Sequence, residues 1–521
     1  MWLNFYLTLK RRSNILKLCL FATGLSGIVA EYVLSTLATY FLGNSVLQWT
    51  MIVSIMLFSM GVGARITKVM DGNLLEKFIW IEIALSILAS FVSLITYTTA
   101  TYTLYTGVTI YALCIVIGLL IGMEIPLVIR INDSFEKLKI NVSSMMENDY
   151  YGCLLGGVFF AFIGLPFLGL TYTPFVLGFV NYVVAIVLLS VLWKDLEEST
   201  KKRLSLSNLA VFILLISGIL NADSIIAHGE EMRYKDKVIF SKQTKFQKLV
   251  ITQSNSDYWL FINGNQQLST IDEIMYHEPL VHPLLKLHPN PKDVLILGGG
   301  DGCAAREILK YESIQHITLV DLDPEMTRLA LEHPVISEIN QHALEHDKVN
   351  TINQDGYSFL EKTNRFYDII IIDLPDPKSI ELGRLYSYEF YKLCNKVLRP
   401  NGLIVTQAGS PYFAARAFNC IDKTMNEAGF STVPIHNQVI TLGEWGWILG
   451  AKSLSGLQFK KALINLEFDG IPTKWINHEA MTLMTSFGKN FTLDPKDSIE
   501  INTIHNPVLF KYYMNGEWDL Y

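Results

Sequence analysis

Val294-Leu295-Ile296-Leu297-Gly298-Gly299-Gly300-Asp301-Gly302 reads as a buried strand running into a glycine turn, with a helical run from Ala304 to Lys310 directly behind it. Turns of this type let backbone N–H groups and a helix N-terminus approach a ligand, and an anionic phosphate is the natural guest. Asp301 changes that reading. A carboxylate in the middle of the turn repels anions and favours a cation.

Working outward, the stretch beyond Pro291 alternates strands with helices. Strands are expected at 294–297, 317–320, 349–352, 369–372 and 403–406, a pattern that predicts a parallel sheet covered by helices on both faces. Ligands of such a sheet gather at the carboxyl ends of its strands. The acids fall there: Asp301 after the first strand, Asp321 and Asp323 after the second, Asp355 after the third, Asp373 and Asp376 after the fourth. One such residue is ordinarily a helix cap, but several converging on one rim exceed what capping explains. Upstream, period-two alternation at 237–240, 248–252 and 258–262 leads into Asn263-Gly264, a hairpin dipeptide, and predicts a small antiparallel sheet.

The first 220 or so residues are of a different kind. In a chain that is 17% charged and 50% hydrophobic, no charged side chain occurs from Tyr150 to Trp193 or from Ile83 to Met123. Runs of that length suit a bilayer, which takes about 20 apolar residues per helix. Spans are expected near 14–34, 48–64, 78–97, 104–128, 150–169, 174–193 and 205–221, seven in all, the first an uncleaved anchor behind Lys10, Arg11 and Arg12. Basic residues cluster in alternate loops: Arg65, Lys68 and Lys77; Arg130, Lys137 and Lys139; Lys194, Lys201, Lys202 and Arg203. That puts the N-terminus and those loops in the cytoplasm, and a full seventh crossing would put the remainder outside. Glu31, Glu82 and Glu124, within or at the ends of the spans, leave a transport role open beside interface or capping roles.

A net charge of −7 gives no basic surface for nucleic acid. The six cysteines form no CxxC pair and no metal spacing, so no metal site is expected. Oligomeric state is not encoded in any motif, and a homo-oligomer stays open.

The glycine turn at 298–302 and Asp373-Leu374-Pro375-Asp376-Pro377 resemble the spermidine synthase family, the polyamine aminopropyltransferases. The likeness includes Phe246-Gln247, Gly264 through Gln267, Asp272-Glu273, Tyr276-His277-Glu278 with His282, Asp355-Gly356, Glu389-Phe390-Tyr391 and Thr406-Gln407, in matching order and spacing. The helical half, Gly443-Glu444-Trp445-Gly446 and the stretch from Asn502-Thr503 to Trp518 resemble the multi-pass bacterial branch. The expected organisation is an α-helical membrane domain at 1–222, a small β-sheet subdomain at 229–290, a Rossmann-like, methyltransferase-type α/β catalytic domain at 291–455, and an extension at 456–521 with no assigned role.

The resemblance implies transfer of an aminopropyl group from decarboxylated S-adenosylmethionine, a co-substrate, to putrescine or a related amine, with no prosthetic group. Asp301 would attract the decarboxylated donor and repel one that keeps its carboxylate. Gly298, Gly300 and Gly356 would line the donor site. Asp321 would hold the ribose, where the family more often has Glu; Asp355 would take the adenine amino group, and Gln247 and His277 would contact the donor. Asp373 would be the general base, Asp376 would bind the amine, and Tyr276 and Gln407 would help to place it. Ile440 stands where the soluble enzymes have an acceptor-side tyrosine, and Asn263 where they have Asp. Two other readings remain: a methyltransferase using S-adenosylmethionine itself, and a membrane polyamine transporter or sensor whose soluble domain only binds. The donor is made in the cytosol, which favours a cytoplasmic catalytic domain on the inner side of the cell membrane and the 205–221 segment lying in the interface or re-entering.

Overall fold

The computed structural model describes residues 2–43, 45–103, 105–234, 236–488 and 499–517. Trp518 lies outside them. The chain divides into two compact units, Met1–Val238 and Ile239–Tyr521.

The first unit is helical: α1 (Trp2–Leu42), α2 (Ser45–Ile66), α3 (Leu74–Tyr102), α4 (Thr106–Asn132), α5 (Leu138–Phe159), α6 (Gly169–Val191) and α7 (Glu198–Tyr234). Six helical runs among the described residues are long and apolar enough to cross a membrane, against the seven spans expected. The spans expected at 150–169 and 174–193 fall within one run of 54 residues, Leu138–Val191. Its middle is irregular. A π-helix over Phe160–Leu168 contains Pro166, which has no N–H to give, and Gly169 then takes φ +62°. The final helix is longer than 205–221: its apolar run, Glu198–Gly229, has 32 residues. At 1.5 Å per residue that rises about 48 Å against a hydrocarbon core of about 30 Å, so shortness is no reason for it to re-enter.

Small residues let these helices touch backbone to backbone. A Cβ on Gly122 of α4 would lie 2.1 Å from the Met60 carbonyl of α2, and one on Gly152 of α5 would lie 2.0 Å from that of Phe21 on α1. Glu31, Glu82 and Glu124 lie inside α1, α3 and α4 and are buried, so none of them caps a helix end.

The second unit opens with four strands in sequential order, β1 (Lys237–Gln243), β2 (Lys248–Ser254), β3 (Asp257–Ile262) and β4 (Asn265–Ser269). Asn263 and Gly264 make the β3–β4 turn with φ +51° and +80°, the positive pair that a two-residue hairpin requires. Helix α8 (Ile274–Leu287) then leads to β5 (Asp293–Gly298), and α9 (Cys303–Leu309) follows the glycine turn. The strands β6 (His316–Asp321), β7 (Val349–Asn353), β8 (Tyr367–Asp373), β9 (Leu398–Gly409), β10 (Ser431–Val439) and β11 (Gly443–Ala451) complete a seven-stranded sheet of order β10-β11-β9-β8-β5-β6-β7.

This sheet is mixed, where a parallel one was expected. β7, β6, β5, β8 and β9 run parallel, and β11 and β10 add an antiparallel edge. Side chains alternate along the central strands. Val294, Ile296, Ile369 and Ile371 enter one core, with α8 and α9, while Leu295, Leu297, Ile370 and Ile372 enter the other. From β5 the chain moves outward through β6 and β7 and then returns to the opposite side of β5 as β8, so a crevice opens between the ends of β5 and β8.

Candidate active site

Gly298 pairs with Asp373 across that crevice. With φ +83° it accepts no side chain, and a Cβ there would sit 2.0 Å from the Asp373 carbonyl oxygen. The Gly299 N–H donates to that same oxygen at 2.9 Å, which binds the glycine turn to the end of β8. Gly300 gives the turn its other close approach: a Cβ would stand 2.6 Å from Asp321 Oδ2.

Asp301 projects from this turn. Its Oδ1 accepts the Cys303 N–H at 2.8 Å, fastening the start of α9, and lies 3.9 Å from His277 Nε2. His277 is held from behind, where Nδ1 donates to the Glu273 carbonyl at 2.8 Å and meets the Glu273 carboxylate at 3.0 Å. Arg306 grips that carboxylate with two nitrogens at 2.9 and 2.8 Å. Burial works against a charge on His277, but the hydrogen bond to Glu273 and the charges of Asp301, Glu273 and Asp373 outweigh it and raise its pKa to about 9. His277, Asp301 and Asp373 each place a donor atom within 4.8 Å of the others.

Asp373 stands between the glycine turn and the next loop. Its Oδ1 receives the Tyr276 hydroxyl at 2.7 Å. Burial, then the Asp301 carboxylate, push its pKa up to about 6 against the pull of His277 and the Tyr276 phenol. Burial and Asp373 together drive the Tyr276 phenol well above its ordinary range, so it stays a donor. Asp321 is likewise pushed up to about 6, mainly by burial, with Asp323 and Asp301 adding.

At the far end, Asp376 Oδ2 accepts the Tyr513 hydroxyl at 2.7 Å and lies 3.6 Å from Lys378 Nζ. Gln407, 1% exposed, donates Nε2 to the Leu374 carbonyl at 2.8 Å and meets the Tyr386 hydroxyl at 2.6 Å. It therefore fixes the loop that carries Asp376.

One cleft, enclosing about 1210 Å³ with its solvent mouth included, is lined by Gln247, Tyr276, His277, Gly298, Gly300, Asp301, Asp321, Asp355, Gly356, Asp373, Asp376 and Gln407. The structure thus places in one cleft all twelve residues expected to serve as the base or to bind donor or amine, while Ile440 and Asn263 do not line it. Two of the strand-end acids also cap helices. Asp323 accepts the Glu325 N–H at 3.1 Å, and Asp355 accepts that of Ser358 at 2.8 Å. The other oxygen of Asp355 pairs with Arg384 at 2.6 Å, so both of its oxygens are engaged.

Sequence reasoning missed Arg306, Arg384, Lys378, Tyr386 and Tyr513. It also left Glu273 without a role and 456–521 without a place. The described part of that extension is anchored beside the site: Glu278, fully buried, accepts the N–H groups of Lys474, Trp475 and Ile476 at 2.7, 2.8 and 2.8 Å. The likeness of the 502–518 stretch to the multi-pass branch was the available signal.

Residues 273–461 match the spermine/spermidine synthase domain. Polyamine aminopropyltransferase 2 of Aquifex aeolicus is 39% identical over 502 residues, 96% of this chain and 98% of that protein. The polyamine aminopropyltransferase of Leptospira interrogans is 37% identical over 493 residues, 95% of this chain and 96% of its own. The crystal structure of spermidine synthase from Thermotoga maritima aligns at 25% identity and a TM-score of 0.43, covering 48% of this chain and 84% of that one. The two bacterial relatives match through the helical unit as well as the cleft, and the chain belongs to the polyamine aminopropyltransferase family and is a transferase.

Proposed function

We propose that this chain transfers the aminopropyl group of decarboxylated S-adenosylmethionine to putrescine or a closely related amine, giving spermidine or its analogue and methylthioadenosine. The observation that carries the reading is the set of carboxylates, Asp301, Asp321, Asp373 and Asp376, lining a single cleft beside a glycine turn. Both substrates are small cations, and a cleft of this charge suits them side by side.

The donor lies along the glycine turn, its ribose hydroxyls on Asp321, its adenine toward Asp355 and Gly356, and its aminopropyl ammonium toward Asp301. Gln247 and His277 complete its contacts. Diamines are ammonium ions at neutral pH, so the attacking nitrogen must first give up a proton. Asp373, with a pKa near 6, is ionised at pH 7 and weakly basic enough to take it and release it again. The nitrogen lone pair then forms the C–N bond as the C–S bond breaks, and its electron pair goes to sulfur, which leaves neutral. Sulfonium is already a good leaving group, so orientation within the cleft supplies most of the acceleration. Asp376 holds the distal ammonium of the amine, with Tyr276 and Gln407 setting its path.

In this reading the helical unit, about 1–222, is a multi-pass anchor in the cell membrane. The sheets at 229–290 and 291–455 form the catalytic domain, facing the cytosol where the donor is made. The test is one assay in two formats, with the decarboxylated donor, an amine panel and product mass as readout. Purified chain should give an aminopropylated diamine from the decarboxylated donor and nothing from the intact one; methylated product would defeat the proposal. In membrane vesicles, a cytosolic site turns over added donor only in the inside-out preparation. Turnover confined to right-side-out vesicles would place the site outside, as a full crossing by α7 requires.

A further inference from the structure

The described end of the chain reaches the cleft from behind Asp376. Tyr513 lies on the short helix Leu509–Met514, 2% exposed, and its hydroxyl donates to Asp376 Oδ2 at 2.7 Å. Its ring packs on the end of β9, where a Cβ on Gly409 would stand 3.3 Å from Tyr513 Cε2. Lys378 Nζ lies 5.7 Å from the ring centroid and donates to Asn265 Oδ1 at 2.7 Å.

The segment that delivers Tyr513 is firmly seated. Asn502, 1% exposed, donates its side-chain amide to the carbonyls of Gly383 and Tyr386 at 2.8 and 3.2 Å, while its own carbonyl accepts the Tyr388 N–H at 2.8 Å. Its Oδ1 accepts the Leu509 N–H at 3.3 Å, tying the helix start to the same point. A Tyr513 hydroxyl placed so tightly holds Asp376 in one rotamer. Oδ2 is thereby committed to the protein, and Oδ1, with Gln407 Nε2 at 3.5 Å, is the oxygen left for a ligand.

We propose that Tyr513 is a positioning residue for the amine: by fixing Asp376 Oδ2 it aims Oδ1 at the distal ammonium and so sets the acceptor length that fits between Asp373 and Asp376. This rests on the reading of Asp376 as the amine's anchor.

The test is Tyr513→Phe in the full chain, which removes the hydroxyl and keeps the ring. A charge-assisted hydrogen bond of this kind predicts a rise of about tenfold in KM for the preferred diamine, with KM for the decarboxylated donor and kcat at saturating amine each within about twofold. Preference among diamines of different length should flatten as Asp376 gains freedom. Asn502→Ala, which loosens the segment without touching Asp376, should move the amine KM in the same direction and by less. Unchanged amine KM and length preference in Tyr513→Phe would overturn the proposal. So would donor and amine KM rising together with a lowered melting temperature, the mark of a merely structural residue. Wild-type chain that aminopropylates no amine would instead defeat the underlying reading of the site, a result distinct from either of these.

Discussion

The glycine-turn end and the Asp376 end of the cleft are assembled in opposite ways. The first draws on the carboxyl ends of β5, β6 and β7, with a loop of a few residues carrying each side chain directly from its strand. The second joins a proline-bounded loop after β8, Gln407 on β9 and a tyrosine 137 residues downstream of the acid it contacts. A ligand that must be recognised in detail can be held by short motifs. A choice among similar small amines can be adjusted by a peripheral segment without disturbing those motifs, since residues far apart in space and lacking shared partners change largely independently.

Asp373 lies where the two ends meet, and its removal should produce the largest effect. Asp373→Asn is expected to lower kcat by about 10²- to 10⁴-fold in single-turnover measurements while both substrates still bind, because the proposed base is lost and the shape is kept. Loss of binding at either end instead would mean that the junction is structural. Asp301→Asn probes the glycine-turn end alone. It should reduce kcat/KM for the decarboxylated donor by about 10- to 100-fold and narrow the gap to the intact donor, with amine KM unmoved. A shift in amine KM would break the distinction between the ends.

A separate effect is expected on stability. His277 has a pKa raised from 6.5 to about 9, so its contribution is complete below pH 6.5 and is lost as pH rises through about 9. At about 1.4 kcal/mol per unit, the contribution is at most about 3.5 kcal/mol. Asp373, raised to about 6, acts in a separate, lower window, where stability falls as pH rises from 3.8 to about 6. Melting of the detergent-solubilised chain should therefore decline between pH 6.5 and 9, and His277→Gln should remove that slope. A slope that persists in the variant would assign it to other groups.

Much of the glycine-turn end was legible because each element there is contiguous. Four apolar residues, three glycines and an acid name a strand, a turn and a charge together, and Asn263-Gly264 names its own hairpin. The rest was hidden for physical reasons. β4 is Asn265-Gln266-Gln267-Leu268-Ser269, which has no apolar alternation to read. β10 carries Pro434 in mid-strand, tolerated because it lies at the sheet edge, and β11 is broken up by glycines, so the antiparallel edge left little trace. Asp323 and Asp355 line the cleft and cap helices at once, two roles that no spacing separates. In the helical unit, the boundary expected between the spans at 150–169 and 174–193 falls at Gly169, where the backbone takes φ +62°.

Glu278 immediately follows Tyr276 and His277, yet the three N–H groups that satisfy it belong to residues 474–476. During synthesis its carboxylate must wait for nearly two hundred further residues before it can be buried without a cost of several kcal/mol. The pocket is therefore finished late, after the ribosome has already delivered the helical unit, and a message truncated upstream of residue 474 would yield the helical unit with no usable cleft.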